Sequence, residues 1–245
     1  MHEIIESTAN PIIRTFKDLH QSKVRRRRSQ TIVEGPKVLS EFLDAGFVPQ
    51  SVLALESDER AIAMCAEKNV AITFVSERAL HAASGTVTTP GPLAVIRIPE
   101  FQSARPHNTV VLVDISDPGN VGTMIRTAAA FDWDVAWTGS TADPWSPKTL
   151  RSGAGAHVHT RLVNMHDPLG DIETAGLTPI ATVVSDGELP QARSAPVALL
   201  IGSESHGLPA WAVVHGIERI SIAMPGGTES LNAAIAAGIA MHALM

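Results

Sequence analysis

Apolar and polar positions along this chain alternate between helical and strand periods. Asn10-Pro11 followed by Ile12, Phe16 and Leu19 predicts a capped helix with one apolar face. A short strand, Thr31 to Val33, and a helix from Pro36 to Ala45 stopped by Gly46 come next. The alternation continues with a strand near 51–55, a helix over 58–68, a strand over 70–75, a helix over 76–82 and a strand over 93–98. This reads as a small α/β domain over residues 1–98. Pro99 to Asn108 has two prolines and no period, so it reads as a linker. From residue 109 to 245 the pattern changes. Val110 to Ile115 is a near-continuous apolar run, the mark of a parallel strand buried on both faces. Helices over 121–131, 147–154, 209–215 and 229–244 interleave with strands over 133–138, 178–184, 197–202 and 218–223. That is a parallel α/β domain with crossover helices.

Composition adds a compartment and a polyanion. The 245 residues are 44% apolar and 18% charged, a folded composition. One cysteine, Cys65, forms no intrachain disulfide and fits a reducing compartment. The start lacks a basic region followed by an apolar stretch, so a cytoplasmic protein is expected. The net charge is −6, yet residues 14–37 hold eight basic and two acidic side chains. That local excess (Arg14, Lys17, Lys23, Arg25, Arg26, Arg27, Arg28 and Lys37) is an expected RNA-binding surface, against the plainer reading of a solvated helix face.

Ligands of open α/β sheets bind at the carboxyl ends of strands. Three expected strand ends carry polar, glycine-rich loops: Ser116 to Arg126, Gly202 to Leu208 and Ile222 to Asn232. None has the three-glycine dinucleotide pattern and none contains Gly-Lys-Ser/Thr, which argues against NAD and ATP. His157 and His159 stand two apart without other clustered ligands, so no metal site is expected.

Asn120-x-Gly122-x-x-x-Arg126-Thr-Ala128 resembles the first motif of the SpoU (TrmH) branch of the SPOUT RNA methyltransferases. Leu200-Ile201-Gly202-x-Glu204-x-x-Gly207-Leu208 resembles their second motif, and Ile222-x-Met224-x-Gly226-x-x-x-Ser230-Leu231-Asn232 their third. Asn10-Pro11 and Glu34-Gly35-x-Lys37 are similar to the family's RNA-binding extension, itself similar to small ribosomal proteins. Ala223 stands where the family usually has Pro, and Ala233-Ala234 where it usually has Val-Ser.

The resemblance implies a SPOUT domain with a trefoil knot, a homodimer, and methyl transfer from S-adenosylmethionine to a ribose 2′-hydroxyl. Large-subunit ribosomal RNA is the expected substrate; transfer RNA, or a catalytically silent RNA-binding assembly factor, is the alternative. In this reading Arg126 acts as a cationic clamp, because a guanidinium is not expected to deprotonate. Asn120 orients the ribose or Arg126, Glu204 fixes Arg126 by an ion pair, and Ser230 and Asn232 complete the site by hydrogen bonding. Leu200, Gly202, Ile222, Met224 and Leu231 cradle the cofactor. Core packing is the plain alternative for Ile222, Met224 and Leu231, and a helix cap for Ser230. The Ala/Gly-rich last helix would suit either a dimer contact or tight packing on its own sheet.

Overall fold

The structure is a computed structural model that describes residues 4–86, 91–214 and 216–245. Its chain divides into two compact units: Met1–Glu100 with Asp143–Val158, and Phe101–Ala142 with His159–Met245.

The first unit opens with α1 (Pro11–Leu19), where the Asn10 side chain accepts from Ile12 N at 2.9 Å and Pro11 occupies the first turn. Its inner face is Ile13, Phe16 and Leu19; Ile12, expected inward, is 37% exposed. A break at His20–Gln21 separates a second helix, α2 (Ser22–Arg28), which ends in Ser29 at φ +50°. The arginine run therefore lies on its own short helix rather than extending α1. Then follow β1 (Gln30–Glu34), α3 (Pro36–Asp44), β2 (Ser51–Ala54), α4 (Glu59–Glu67), β3 (Thr73–Phe74), α5 (Glu77–Ala83) and β4 (Leu93–Arg97). The sheet order is β1-β4-β2-β3, with β4 antiparallel to both neighbours and β2 parallel to β3. Ile32, Leu53, Leu93 and Val95 line one sheet face and pack with the inner face of α1 and with Leu80 of α5.

The second unit begins earlier than the expected linker allows. Phe101 stacks edge-on against Trp137 with centroids 5.1 Å apart, and Arg105 grips the buried Asp134 carboxylate at 2.7 and 2.9 Å. A bidentate pair of this kind fixes the intervening backbone, so residues from 101 onward belong to the domain. The elements are β5 (Thr109–Val113), α6 (Pro118–Ala130) and β6 (Asp134–Thr138). Helix α6 starts three residues before the expected point, because Asp117 caps it through Asn120 N at 2.9 Å and Pro118 fills the first helical position.

The chain then leaves for the first unit. Asp143–Val158, with α7 (Pro147–Ser152), supplies partners for three buried polar groups there. Arg25 donates to Asp143 Oδ2 at 3.0 and 2.6 Å and to the carbonyls of Leu19 and His20. Glu34, fully buried, pairs with Arg151 and accepts from Gly85 N at 3.3 Å. Thr31 Oγ1 donates to Trp145 O at 2.6 Å. His157 is buried with Nε2 2.9 Å from Pro144 O, and burial lowers its pKa to about 4. Periodicity assigned this segment to the second domain, because a short amphipathic helix does not record which sheet it covers.

Back in the second unit come β7 (Leu162–Asn164), α8 (Pro168–Thr174), β8 (Thr178–Thr182), β9 (Val197–Ile201), β10 (Glu218–Ile220) and α9 (Ala233–Ala243). The pattern did not register β7 and α8: one has three residues, and the other buries only Ile172. The expected helix over 209–215 is a 3-10 turn, Ala210–Val213, and its last position, His215, lies outside the described residues. All six strands are parallel, in the order β10-β8-β9-β5-β6-β7. Helix α9 packs against α6. Among the described residues, no helix is long and apolar enough to cross a membrane.

Candidate active site at the carboxyl edge of the parallel sheet

The central strands β5 and β9 are neighbours, but the chain leaves them for loops of different kinds. After β5 it turns into α6, whose first turn carries Asn120 and whose third carries Arg126. After β9 it makes a tight return: Ser203 N donates to Gly207 O at 3.1 Å and Gly207 N to Ser203 O at 2.9 Å. Two glycines make that return possible. Gly207 has φ +65°, and a Cβ on Gly202 would sit 2.3 Å from the Gly207 carbonyl carbon. The third loop follows β10 and runs to Asn232, whose Oδ1 caps α9 through Ala234 N at 3.0 Å and Ile235 N at 3.3 Å. The cap is Asn232, not Ser230, so the helix begins four residues later than the periodicity suggests and Ser230 and Leu231 stay in the loop.

One chain of side-chain bonds joins the three loops. Asn232 Nδ2 donates to Asn120 Oδ1 at 3.0 Å, and Asn120 Nδ2 donates to Glu204 Oε1. Glu204 is thus held by a neutral amide. The expected Glu204–Arg126 ion pair is not formed; among the described residues the exposed Arg126 side chain has no partner. This matters because of the unit's charge. The second unit carries five Lys/Arg against twelve Asp/Glu. Four of its arginines are committed: Arg105 to Asp134, Arg161 to Ser103 O, Arg193 to Glu218 and Arg219 to Val213 O. Arg126 is the uncommitted one.

Beside this bridge lies a cleft of about 150 Å³. Four of the residues proposed from the sequence as cofactor contacts, Gly202, Ile222, Met224 and Leu231, line it together, and Glu204 and Ser230 reach it too. Leu200 does not: it is buried within β9, and its carbonyl accepts from Thr182 Oγ1 at 2.8 Å. Sequence reasoning missed Thr182, Val183 and Val184, which close the cleft from the end of β8. The strand order β8-β9 is the signal that exposes them, and one sequence does not carry it. Among the described residues, no Lys or Arg lines the cleft. Its apolar walls, hydroxyls and single carboxylate suit a ligand with an aromatic base and a positive centre, and they do not suit a phosphate.

The expected RNA-binding residues belong to the first unit. Arg14, Lys17, Lys23, Arg26, Arg27, Arg28 and Lys37 are exposed, with Arg28 3.9 Å from Asp18. Arg25 is the exception. It is 3% exposed and all its bonds are internal, so it braces α2 instead of presenting charge. Among the described residues, no group of three His, Cys, Asp or Glu is arranged to hold a metal ion.

Residues 107–242 match the SpoU rRNA Methylase family, and residues 10–94 match the MRM3-like substrate binding domain. The chain belongs to the SpoU rRNA methylase family. Within that family it is 32% identical to the 23S rRNA (guanosine(2553)-2'-O)-methyltransferase RlmP of Bacillus subtilis, over 98% of both chains. An AdoMet-bound rRNA methyltransferase from Sinorhizobium meliloti superposes with a TM-score of 0.84 at 26% identity, over 98% of this chain and 95% of that one. The SpoU methyltransferase AviRb from Streptomyces viridochromogenes, in complex with AdoMet, superposes with a TM-score of 0.80 at 25% identity, over 95% and 96%.

Proposed function

We propose that this SpoU-family chain methylates a ribose 2′-hydroxyl of large-subunit ribosomal RNA, using S-adenosylmethionine. The observation that carries the proposal is a cation-free cleft beside the Glu204–Asn120–Asn232 bridge, with an uncommitted arginine, Arg126, on the helix that carries Asn120. The relative acting on 23S rRNA, at 32% identity, supports the choice of RNA.

When bound, the cofactor supplies a methyl group already activated on a sulfonium. Gly202, Ile222, Met224 and Leu231 hold it by close backbone approach and apolar contact, and Glu204 lends the cleft negative potential. Arg126 meets the RNA. A guanidinium is a donor without an acceptor site, so Arg126 clamps the target phosphate and stabilises the developing alkoxide, and the 2′-hydroxyl proton leaves to solvent rather than to Arg126 as the O–CH3 bond forms and the S–CH3 bond breaks. Asn120 aligns the ribose, while Glu204 and Asn232 fix the amide of Asn120 by accepting from it and donating to it. Ser230, on the cleft lining, is a hydrogen-bonding group for the ribose or the cofactor.

Target selection falls to the first unit, where the exposed residues of α1, α2 and Lys37 neutralise phosphates. The working form is a cytoplasmic homodimer. Ile235 and Ile239, one turn apart on α9, are 57% and 42% exposed and would be covered by a second copy. The trefoil crossing of the second domain completes this reading.

The test is transfer of labelled methyl to unmodified RNA, separated by size, with Arg126→Ala alongside. The expected result is 2′-O label in large ribosomal RNA, lost in the variant. Label in transfer RNA overturns the substrate, and absence of both label and cofactor binding overturns the enzyme.

A further inference from the structure

We propose that Asp114 is a positioning residue for the Asn120–Arg126 helix, a role that rests on the methyl-transfer reading above. Asp114 is the first residue after β5 and has φ +56°, a region that L side chains rarely adopt. Aspartate is tolerated there when its carboxylate bonds nearby backbone. Here Oδ1 accepts from Ser140 N at 2.7 Å, on the turn that follows the adjacent strand β6. That turn is shaped around the carboxylate. Gly139 has φ +64°, and a Cβ on it would lie 2.3 Å from Asp114 Oδ1.

The next residue is tied as firmly. Ile115 is fully buried; its N–H donates to Thr141 Oγ1 at 3.3 Å, and its carbonyl accepts from Ala142 N at 2.8 Å. The Thr141 hydroxyl in turn lies 3.0 Å from Leu112 O and 2.9 Å from Thr138 O, bracing the ends of both strands. Only Ser116 then separates Ile115 from Asp117, the residue whose carboxylate caps α6. The passage from sheet to helix therefore has almost no slack, and its strained member is the first residue off the strand. Strain held in place by its surroundings at the edge of a site is a reason to look for a functional role.

The geometry separates this role from cofactor binding. No residue between 112 and 142 lines the cleft, whose walls come from the ends of β8, β9 and β10 and the start of α9. Loss of the Asp114 carboxylate frees Ser140 N and lets the first residue relax from its strained φ. The N-terminus of α6 then shifts and Asn120 and Arg126 move; Glu204 loses its Asn120 bond but keeps its charge and its place on the return after β9, so the walls of the cleft stay. Turnover falls and cofactor affinity does not.

The experiment uses the full-length chain, S-adenosylmethionine and ribosomal RNA transcripts. Asp114→Ala is expected to lower kcat about tenfold to a hundredfold, with KM for S-adenosylmethionine and RNA affinity within about twofold. Asp114→Asn keeps an acceptor and tolerates the positive φ, so it restores most of kcat. Thr141→Val, which removes the hydroxyl bracing Ile115 and leaves Asp114 in place, lowers kcat in the same selective way and decides the matter should Asp114→Ala not fold. Wild-type kcat in both Asp114→Ala and Thr141→Val overturns the role, as does a parallel loss of cofactor affinity or an Asp114→Asn variant as slow as Asp114→Ala. A wild-type chain that binds cofactor yet methylates no RNA overturns the methyl-transfer reading and this role with it. Activity lost in Arg126→Ala but kept in Asp114→Ala and Thr141→Val overturns this role alone.

Discussion

Replacing Gly202 by alanine tests whether the return after β9 is what shapes the cleft proposed for the cofactor. The added methyl would sit 2.3 Å from Gly207 C, 2.4 Å from Leu208 N and 2.5 Å from Gly207 O. Carbon atoms in ordinary contact are about 3.5 Å apart, so the return must open by roughly 1 Å. These three nearest atoms are all backbone, and no side-chain rotation moves them away. Two hydrogen bonds, at 3.1 and 2.9 Å, hold the return closed. Overpacking of this kind costs about 1–3 kcal/mol. If that strain falls on the cofactor-binding conformation, the dissociation constant rises by about fivefold to 150-fold. Titration calorimetry with S-adenosylmethionine reads this directly, with RNA binding as a control that should not change. Gly226→Ala is the internal comparison: its Cβ would meet nothing within 4 Å and the backbone there is not left-handed. Equal cofactor affinity in the two variants would refute the argument, since they add the same methyl to two loops of the same site.

His157 should make the first unit acid-sensitive. Its folded pKa of about 4 lies below the ordinary 6.5, so the stability tied to its neutral form is present above pH 6.5 and is lost as the pH falls toward 4. The shift corresponds to about 3 kcal/mol. Urea unfolding across that range should show the loss in the wild type and not in His157→Gln; superimposable pH profiles would exclude it. Asp143→Ala strips the carboxylate from the buried Arg25 guanidinium and should cost about 3 kcal/mol. A fragment of residues 1–100, which lacks that partner and Arg151, should fail to unfold cooperatively; a sharp thermal transition near that of the intact chain would contradict it. Arg27→Ala should lower the salt dependence of RNA binding by about one unit in the slope of log K against log salt. Arg25→Ala should instead lower stability and leave that slope unchanged.

Much of the site was legible before the fold. Asn120, Glu204 and Asn232 sit on the three loops that polar and glycine patterning singled out, and they converge through two hydrogen bonds. Gly202, Ile222, Met224 and Leu231 share one cleft. What could not be read was which groups pair. Arg126 and Glu204 are opposite charges in neighbouring motifs, yet Glu204 is satisfied by an amide and Arg126 faces solvent. Four consecutive arginines look equivalent along the chain, but a helix turns each by about 100°, and Arg25 points inward.

The sequence by itself determined the alternation of strands and helices, the buried parallel character of Val110 to Val113, the caps at Asn10 and the glycine-dependent loops. These depend on local backbone preference and on periods of two and 3.6 residues, which a single chain records. Tertiary structure alone decided that Asp143–Val158 completes the first unit, that Leu200 is core and Val184 cleft, and that Asp114 adopts a strained φ against Ser140. Each of those depends on strand order or on a partner more than fifteen residues away, and contacts at that range leave no period in the sequence.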